Sequence, residues 1–252
     1  MEPRSDSSLA SLLLTNRLVS LDVEAFRSRE YWVLLERIAD PGQLLGAGAK
    51  ELAQLPGQTP DTAKRIARLL DAATALAFEL ERLSQQGIQA LTPFDEPYPQ
   101  RLRGRLTDSA PPVLFCAGAL ALMAVDGIGV VGSRNIDDAG AEVATGLAKQ
   151  IAGSATTLVS GAAKGVDQLA MGAALRSGGT IVGVPADGLG RNLRDPDLRR
   201  AIGEGRACMA TPYKPAAGFS VANAMGRNKV VYGLCRCTVV VAADEGRGGS
   251  WE

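Results

Sequence analysis

GIGVVGSRN (residues 127–135) is a short apolar run that ends in glycine, serine and arginine. Its apolar part, Ile128–Val131, predicts a buried strand, and the residues after it predict a helix over about 138–152. A strand that runs through small residues into a helix is the repeating unit of a parallel α/β fold. The stretch therefore predicts the organisation of the chain that follows it.

The same alternation continues to residue 242. Further strands are predicted at Thr157–Val159, Thr180–Val184, Ala207–Met209 and Thr238–Ala242, with helices at about 165–177, 194–204 and 221–234. This spacing predicts an α/β fold with a Rossmann-like, doubly wound and mostly parallel sheet. Ligands of such sheets bind beyond the carboxyl ends of the strands. We therefore expect the functional residues in the loops that follow the strands.

Residues 1–86 predict a small helical domain instead. Residues 23–39 place apolar side chains at helical spacing, and Pro41-Gly42 ends that helix. Thr59 supplies an N-cap for a long helix that we expect to reach about Gln86, with Phe78 on its apolar stripe. The predicted domains are thus 1–86, helical (helix-hairpin-helix or SAM-like), and 87–252, an extended Rossmann-like domain that also holds short strands at 87–91 and 112–116.

The turn Leu55-Pro56-Gly57 has two interpretations. It resembles a helix-hairpin-helix turn, whose glycine lets backbone N–H groups approach a DNA phosphate. It also fits an ordinary connection between two helices, which is the interpretation that a single hairpin favours.

Composition excludes several classes of site. The chain has no histidine, which excludes histidine general bases, Ser-His-Asp triads and histidine-ligated metals. The four cysteines, Cys116, Cys208, Cys235 and Cys237, form no CxxC pair. Small buried side chains are therefore favoured over zinc ligands or disulfides. A targeting segment and an apolar run of bilayer length are both missing, so we expect a cytoplasmic protein without membrane contact.

Cations follow three of the predicted strands. Gly132, Ser133 and Arg134 follow the first strand, where glycine allows close backbone approach and arginine suits a phosphate. Ser160, Gly161, Lys164 and Gly165 belong to the loop after the second strand, where Asp167 either caps the next helix or orients Lys164. Arg227, Asn228 and Lys229 are expected to open the last helix. A glycine-rich loop, residues 244–250, follows the last strand.

Charge is unevenly distributed although the formal net charge is zero. Between Lys164 and Arg236 there are 11 Lys and Arg residues against five Asp and Glu. A basic segment of this kind suits a polyanion, because phosphate contacts give sequence-independent and salt-sensitive affinity. An ordinary mixed surface remains the alternative.

The order of these features resembles the DNA-processing protein A (DprA/Smf) family. The resemblance covers about residues 87–252. It is carried by D-x-x-Y-P-x-x-L (95–102), PPVLF (111–115), VVGSR (130–134), SGAAKGVD (160–167), GRNKVVYGL (226–234) and VVVAAD (239–244). Departures include Leu169-Ala170-Met171, where the family often has a histidine, and an end at Glu252, where the family continues into a helix. The resemblance is therefore to a divergent member that is truncated at its C-terminus.

The resemblance implies a function. Family members bind single-stranded DNA, deliver it to the recombinase RecA in natural transformation (competence) and recombination, and pair as homodimers at full length. The family's pocket positions carry over to Ser133, Arg134, Ser160, Gly161, Lys164, Arg227 and Asn228. No catalytic residue and no cofactor are implied.

Two enzymatic alternatives are weaker. A nucleotide sensor or phosphoribohydrolase-like enzyme shares this Rossmann variant, but Gly248-Gly249-Ser250 lacks the preceding proline and has its glutamate displaced. A dinucleotide-dependent dehydrogenase needs a GxGxxG turn, which is not present.

Overall fold

The computed structural model describes residues 4–15 and 18–242, and contacts divide the chain into two compact units, Met1–Leu114 and Phe115–Glu252. Contacts thus group residues 87–114 with the helical residues before them. The domain boundary expected at residue 86 stays a prediction. No helix in the described ranges combines the length and the apolar character that a membrane crossing requires.

The first unit is mainly helical in its described residues. Its elements are α1 (Asp6–Leu14), α2 (Ser28–Ile38), α3 (Ala49–Leu52), α4 (Pro60–Leu70), α5 (Ala73–Gln85), β1 (Gln89–Leu91) and α6 (Arg101–Leu106), with 3-10 turns at Pro41–Leu44 and Thr107–Ser109. The predicted start of α4 is confirmed, because the Thr59 hydroxyl accepts a hydrogen bond from the Thr62 N–H at 3.2 Å.

The long helix predicted from Thr59 to Gln86 is wrong, because Asp71 and Ala72 separate α4 from α5. Ala72 has ψ 9° and donates its N–H to Leu69 O, three residues earlier. This is the hydrogen bond of a 3-10 turn, whereas a continuing α-helix bonds to the residue four positions earlier. Neither Asp71 nor Ala72 is a glycine or a proline, so no helix-breaking residue marks the break. Phe78 is 74% exposed and does not join the buried stripe.

The backbone conformation within the unit accounts for Gly57. Its φ is +70°, a left-handed conformation that favours glycine, and its carbonyl accepts a hydrogen bond from Nη1 of Arg37 at 2.9 Å. These local features account for the glycine without any DNA contact, which is compatible with the ordinary helix connection.

The second unit has the predicted alternation of strands and helices. Its elements are β2 (Leu114–Gly118), β3 (Gly127–Gly132), α7 (Asp138–Gly153), β4 (Leu158–Ser160), α8 (Val166–Arg176), β5 (Ile181–Gly183), α9 (Leu189–Asn192), α10 (Pro196–Gly203), β6 (Ala207–Thr211), α11 (Val221–Leu234) and β7 (Cys235–Val241).

The strands of this unit lie in the order β2-β6-β5-β4-β3-β7. Neighbouring strands are parallel except for the β2–β6 pair, which is antiparallel. The predicted α/β class with a mostly parallel sheet is therefore confirmed. Because β3 lies between β4 and β7, its carboxyl end is the point at which the chain connections diverge. Open α/β sheets bind ligands at such a point.

The cysteines fit the predicted role of small buried side chains at three positions and depart from it at the fourth. Cys116, Cys208 and Cys235 are buried free thiols, and Cys237 is exposed. Burial raises the pKa of Cys208 to about 12, which keeps it protonated and unreactive at neutral pH.

Candidate nucleic-acid interface

The loop after β3 is held by its own side chains. The Ser133 hydroxyl donates to Asn135 O at 2.6 Å and accepts from Asn135 N at 3.1 Å. Asp137 then caps α7 by accepting from Gly140 N at 2.8 Å. These bonds fix the loop's backbone and leave the side chain of Arg134 exposed.

Gly165 brings the loops after β3 and β4 into backbone contact. Its φ is +90°, and a Cβ there would lie 2.3 Å from Ser133 O and 2.7 Å from Arg134 O. The next residue, Val166, donates its N–H to Ser133 O at 3.2 Å. Only glycine meets both demands, and its presence places the Lys164 loop directly beside the Arg134 loop.

A buried ion pair lies next to these loops. Nη2 of Arg227 is 3.6 Å from Oδ2 of Asp167, and the two residues are 5% and 3% exposed. The same carboxylate oxygen accepts from Ala163 N at 3.2 Å. Asp167, which the sequence left between a helix cap and a partner for Lys164, therefore pairs with Arg227.

Gly161 makes room for that pair. A Cβ at Gly161 would lie 1.1 Å from Nη1 of Arg227, so any side chain here would displace the guanidinium. The small residues after β4 thus serve the packing of an arginine from α11.

Burial is the largest cause of the pKa shifts of both Asp167 and Arg227. Burial raises the pKa of Asp167, although the positive charge of Arg227 and backbone N–H groups of the β4 loop oppose this. Burial lowers the pKa of Arg227; the negative charge of Asp167 opposes that shift, and the nearby Arg134 adds to it. Arginine nevertheless stays protonated in proteins, so positive charges from Arg134 and Arg227 share this region.

A cavity of about 720 Å³ opens beside these groups. Its charged lining residues are Arg134, Lys164, Arg176, Arg191 and Arg227, together with Asp187, Asp195 and Asp197. Some of the acids already have partners within the protein, since Asp195 caps α10 and Asp197 pairs with Arg200 at 2.8 Å. Phe219 also lines the cavity, with the guanidinium carbon of Arg134 4.9 Å from its ring centroid.

The structure brings part of the predicted set together. Arg134, Gly161, Lys164 and Arg227 line the cavity. The remaining members, Gly132, Ser133, Ser160, Gly165, Asn228 and Lys229, are not among its lining residues. Gly165 and Ser133 shape the loops, as described above.

Contacts within the sheet account for two of the remaining members, Ser160 and Gly132, and a third, Lys229, lies on the surface. The Ser160 hydroxyl is fully buried and donates to Val130 O at 2.6 Å, which ties β4 to β3 and leaves no hydroxyl for an outside phosphate. A Cβ at Gly132 would lie 1.9 Å from Val241 O, so the neighbouring strand β7 requires this glycine. Lys229 is exposed on α11, two residues past the buried Arg227.

The last helix begins as predicted, at Val221, where Ser220 caps it. The expectation that Arg227, Asn228 and Lys229 open this helix is wrong, because Arg227 lies nearly two turns inside it. Arg227 therefore acts through its side chain and not through N–H donors at a helix start.

Sequence reasoning missed the contribution of α8 and α9 to the cavity. Gln168, Gly172 and Arg176 line it at four-residue spacing along α8, continuing the row that starts at Lys164. That spacing is readable in the sequence once α8 is known to be a helix. Arg191 comes from α9, which the sequence pattern did not predict. The glycine-rich loop at 244–250 lies outside the described residues.

Comparisons with known proteins agree with this fold. The sequence model of the family DNA recombination-mediator protein A matches residues 89–251. The putative DNA processing protein DprA of Mycobacterium tuberculosis is 30% identical over 84% of this chain and 60% of its own length. DNA processing protein A from Streptococcus pneumoniae superposes with a TM-score of 0.70 over 98% of this chain and 81% of that chain, at 24% identity.

A second solved structure is DNA processing protein A from Helicobacter pylori, which was described for its single-stranded DNA binding mode. It superposes with a TM-score of 0.53 over 65% of this chain and 72% of that chain, at 20% identity. At these identities the two structures show a shared fold. The chain spans 42%, 55% and 50% of the lengths of three further curated relatives.

Proposed function

The chain belongs to the DNA recombination-mediator protein A family, and we propose that it binds single-stranded DNA without sequence preference through the cations of the cavity beside β3 and β4. The observation that carries the proposal is the convergence of Arg134, Lys164 and Arg227 on one cavity from three separate segments of the chain.

The electrostatics support a phosphate ligand. Five cations and three acids line the cavity, which leaves a positive excess. All three acids already accept hydrogen bonds from the protein: Asp187 from the Asn192 amide at 3.4 Å, Asp195 from Leu198 N at 3.0 Å, and Asp197 from the Arg200 guanidinium at 2.8 Å. A DNA backbone gains affinity from each phosphate that a cation neutralises, through release of counterions.

The three central cations differ in what they can offer. Arg134 and Lys164 are exposed, and Arg134 lies over the Phe219 ring. Arg227 is instead fixed by burial and by Asp167. The Nε atom of Arg227 makes no hydrogen bond within the described residues. A fixed guanidinium favours one well-placed phosphate, and the exposed pair favours its neighbours along the strand.

Binding is tested by fluorescence anisotropy of a labelled oligothymidine against a duplex of equal length at two salt concentrations. We expect tighter binding of the single strand, and weaker binding after Arg134→Ala or Lys164→Ala. Each variant should also lower the salt slope (the change in log K with log salt) by about 0.7, the value for one phosphate contact on a single strand.

Matched controls are Arg199→Ala and Lys149→Ala, which remove exposed cations that do not line the cavity. Both should bind like the unaltered protein. Equal affinities and equal salt slopes for all four variants would reject the proposed site.

The proposal also covers the biological role and the partners. We propose that the protein delivers the strand to a RecA-type recombinase during natural transformation. We also propose that the full-length protein forms a homodimer and is cytoplasmic. Binding of the recombinase to the DNA complex, measured by surface plasmon resonance, tests the delivery step. The proposed role is non-catalytic, and no catalytic residue is assigned.

A nucleotide-binding sensor or phosphoribohydrolase-like enzyme is the second candidate. The cavity volume of about 720 Å³ favours it, since small-molecule sites fall in the range of about 300–1,000 Å³. Thymidine monophosphate should then compete with oligothymidine at micromolar concentration, and free base should be released from it if the site is enzymatic. Displacement only at millimolar concentration supports the DNA proposal.

A further inference from the structure

We propose that Asp167 is a specificity-determining residue, whose carboxylate occupies an anion site between the ends of β3 and β4 and thereby excludes the phosphate of a free nucleotide. The inference rests on the proposed function for its consequence, because it explains why the cavity would bind a strand of many phosphates and not a single one. It concerns the buried groups beside the cavity and not the exposed cations.

Backbone donors around Asp167 form an anion site of the kind found at strand ends. Ala163 N donates to its Oδ2 at 3.2 Å, and the N–H groups of Gly161 and Gly132 also hydrogen-bond to this carboxyl group. Ala162, between two of these donors, has φ +54°, a left-handed conformation that turns successive N–H groups toward one side. Concave sets of N–H groups at such strand ends are phosphate-binding sites in other α/β proteins.

Two further features complete this anion site. Nη2 of Arg227 lies 3.6 Å from Oδ2 of Asp167, and the buried Nε of Arg227 has no hydrogen bond within the described residues. Asp167 also lies in the first turn of α8, where the helix dipole favours negative charge. The backbone donors come from the ends of β3 and β4, so capping of its own helix does not account for these bonds.

The internal carboxylate makes these donors inaccessible to a ligand. Asp167 is 3% exposed, and an incoming phosphate would have to displace it and leave its charge buried without a partner. A ligand phosphate is therefore limited to the cations that line the cavity and receives none of these backbone hydrogen bonds. A strand can still add contacts over several phosphates, whereas a mononucleotide has one. The carboxylate thus disfavours the mononucleotide enzyme considered above.

Removal of the carboxylate should create a phosphate site that the unaltered protein lacks. Asp167→Ala and Asp167→Ser should each bind inorganic phosphate at least about 10-fold more tightly than the unaltered protein, which is the value of one hydrogen bond to a charged group. Binding is measured as the rise of the urea midpoint with phosphate at constant ionic strength. Asp167→Asn keeps the shape of the side chain and should respond to phosphate like the unaltered protein, because its amide still fills the site.

Glu30→Ala is the matched control. Glu30 accepts a hydrogen bond from Arg27 N at 2.9 Å and pairs with Arg65 at 3.0 Å, but its side chain is 45% exposed. Its removal frees donors that water already reaches, so phosphate binding should not change measurably. An Asp167 variant that is unfolded in buffer is titrated with phosphate instead, and its helical circular dichroism signal should return.

Other results overturn the inference in distinguishable ways. If neither Asp167→Ala nor Asp167→Ser responds to phosphate more strongly than the unaltered protein, Asp167 does not occupy an anion site. An equal response by Glu30→Ala would mean that phosphate binds at the surface only. None of these measurements uses DNA, so a failure of the unaltered protein to bind oligothymidine would remove the proposed function and leave the anion site to be decided by phosphate alone.

Discussion

Two arginine–carboxylate pairs, one in each unit, differ mainly in their exposure to water. In the first unit, Nη1 of Arg65 lies 3.0 Å from Oε1 of Glu30, and the side chains are 24% and 45% exposed. In the second unit, the Arg227–Asp167 pair is longer, at 3.6 Å, and its side chains are 6% and 4% exposed. Similar groups thus meet in two different dielectric surroundings.

The carboxyl groups respond in opposite directions. The hydrogen bond from Arg65 lowers the pKa of Glu30, despite some burial. Burial raises the pKa of Asp167, and the attraction of Arg227 does not fully offset it. A buried ion pair is therefore weak support for stability on its own, because desolvation of both charges opposes their attraction. The buried pair is better explained by where it holds Arg227, at the cavity, than by the stability it adds.

The largest expected effect comes from breaking the buried pair. Asp167→Ala leaves the Arg227 guanidinium buried without its partner, which should lower the free energy of unfolding by about 3–5 kcal/mol. Glu30→Ala should lower it by less than about 1 kcal/mol, because its pair is half-exposed. Urea denaturation followed by circular dichroism measures both. A loss below about 1 kcal/mol for Asp167→Ala would show that water reaches Arg227 and that the pair is not buried in solution.

A smaller effect should follow from crowding the pair instead of breaking it. Gly161→Ala places a methyl group on the Arg227 guanidinium and should lower the free energy of unfolding by about 1–3 kcal/mol. Gly146→Ala, inside α7 with open space at its Cβ, is the matched control and should raise it by about 0.5–1 kcal/mol. If Gly161→Ala raises the free energy of unfolding as Gly146→Ala does, the Arg227 guanidinium moves aside freely.

The fold of the second unit was largely predictable because its signal is local. The apolar runs from Ile128 to Ala242 and the helices between them repeat at regular spacing, and the structure keeps nearly all of them. The break at Ala72 was not predictable, since no glycine or proline marks it. α9 was also missed, because four residues carry too little periodicity.

The site was predictable only where the backbone itself is constrained. The small residues after the strands located the loops of Arg134 and Lys164. One of them, Gly165, is small because a Cβ there would clash with the Ser133 carbonyl of the neighbouring loop. The direction of a side chain was not predictable in the same way. Ser160 was predicted in the loop after the second strand but is the last residue of β4, with its hydroxyl turned into the sheet. Arg227 reaches the cavity from nearly two turns inside α11. Both depend on packing between elements that are distant in sequence.

The smallest expected effect is a pH response of opposite sign for the two pairs. Glu30 has a lowered pKa, so its contribution to stability is present above its ordinary pKa of 4.5 and is lost as the pH falls through the lower folded value. Asp167 has a raised pKa, so the folded protein holds its proton to a higher pH, and stability falls as the pH rises from 3.8 through the higher folded value.

Urea unfolding of the unaltered protein, Glu30→Gln and Asp167→Asn between pH 3 and pH 7 separates the contributions of the two carboxyl groups. Relative to the unaltered protein, Glu30→Gln should lose its deficit as the pH falls, whereas Asp167→Asn should gain stability as the pH rises. Parallel profiles for the two variants would mean that burial does not decide the titration of Asp167, and that Arg227 holds it ionised as Arg65 holds Glu30.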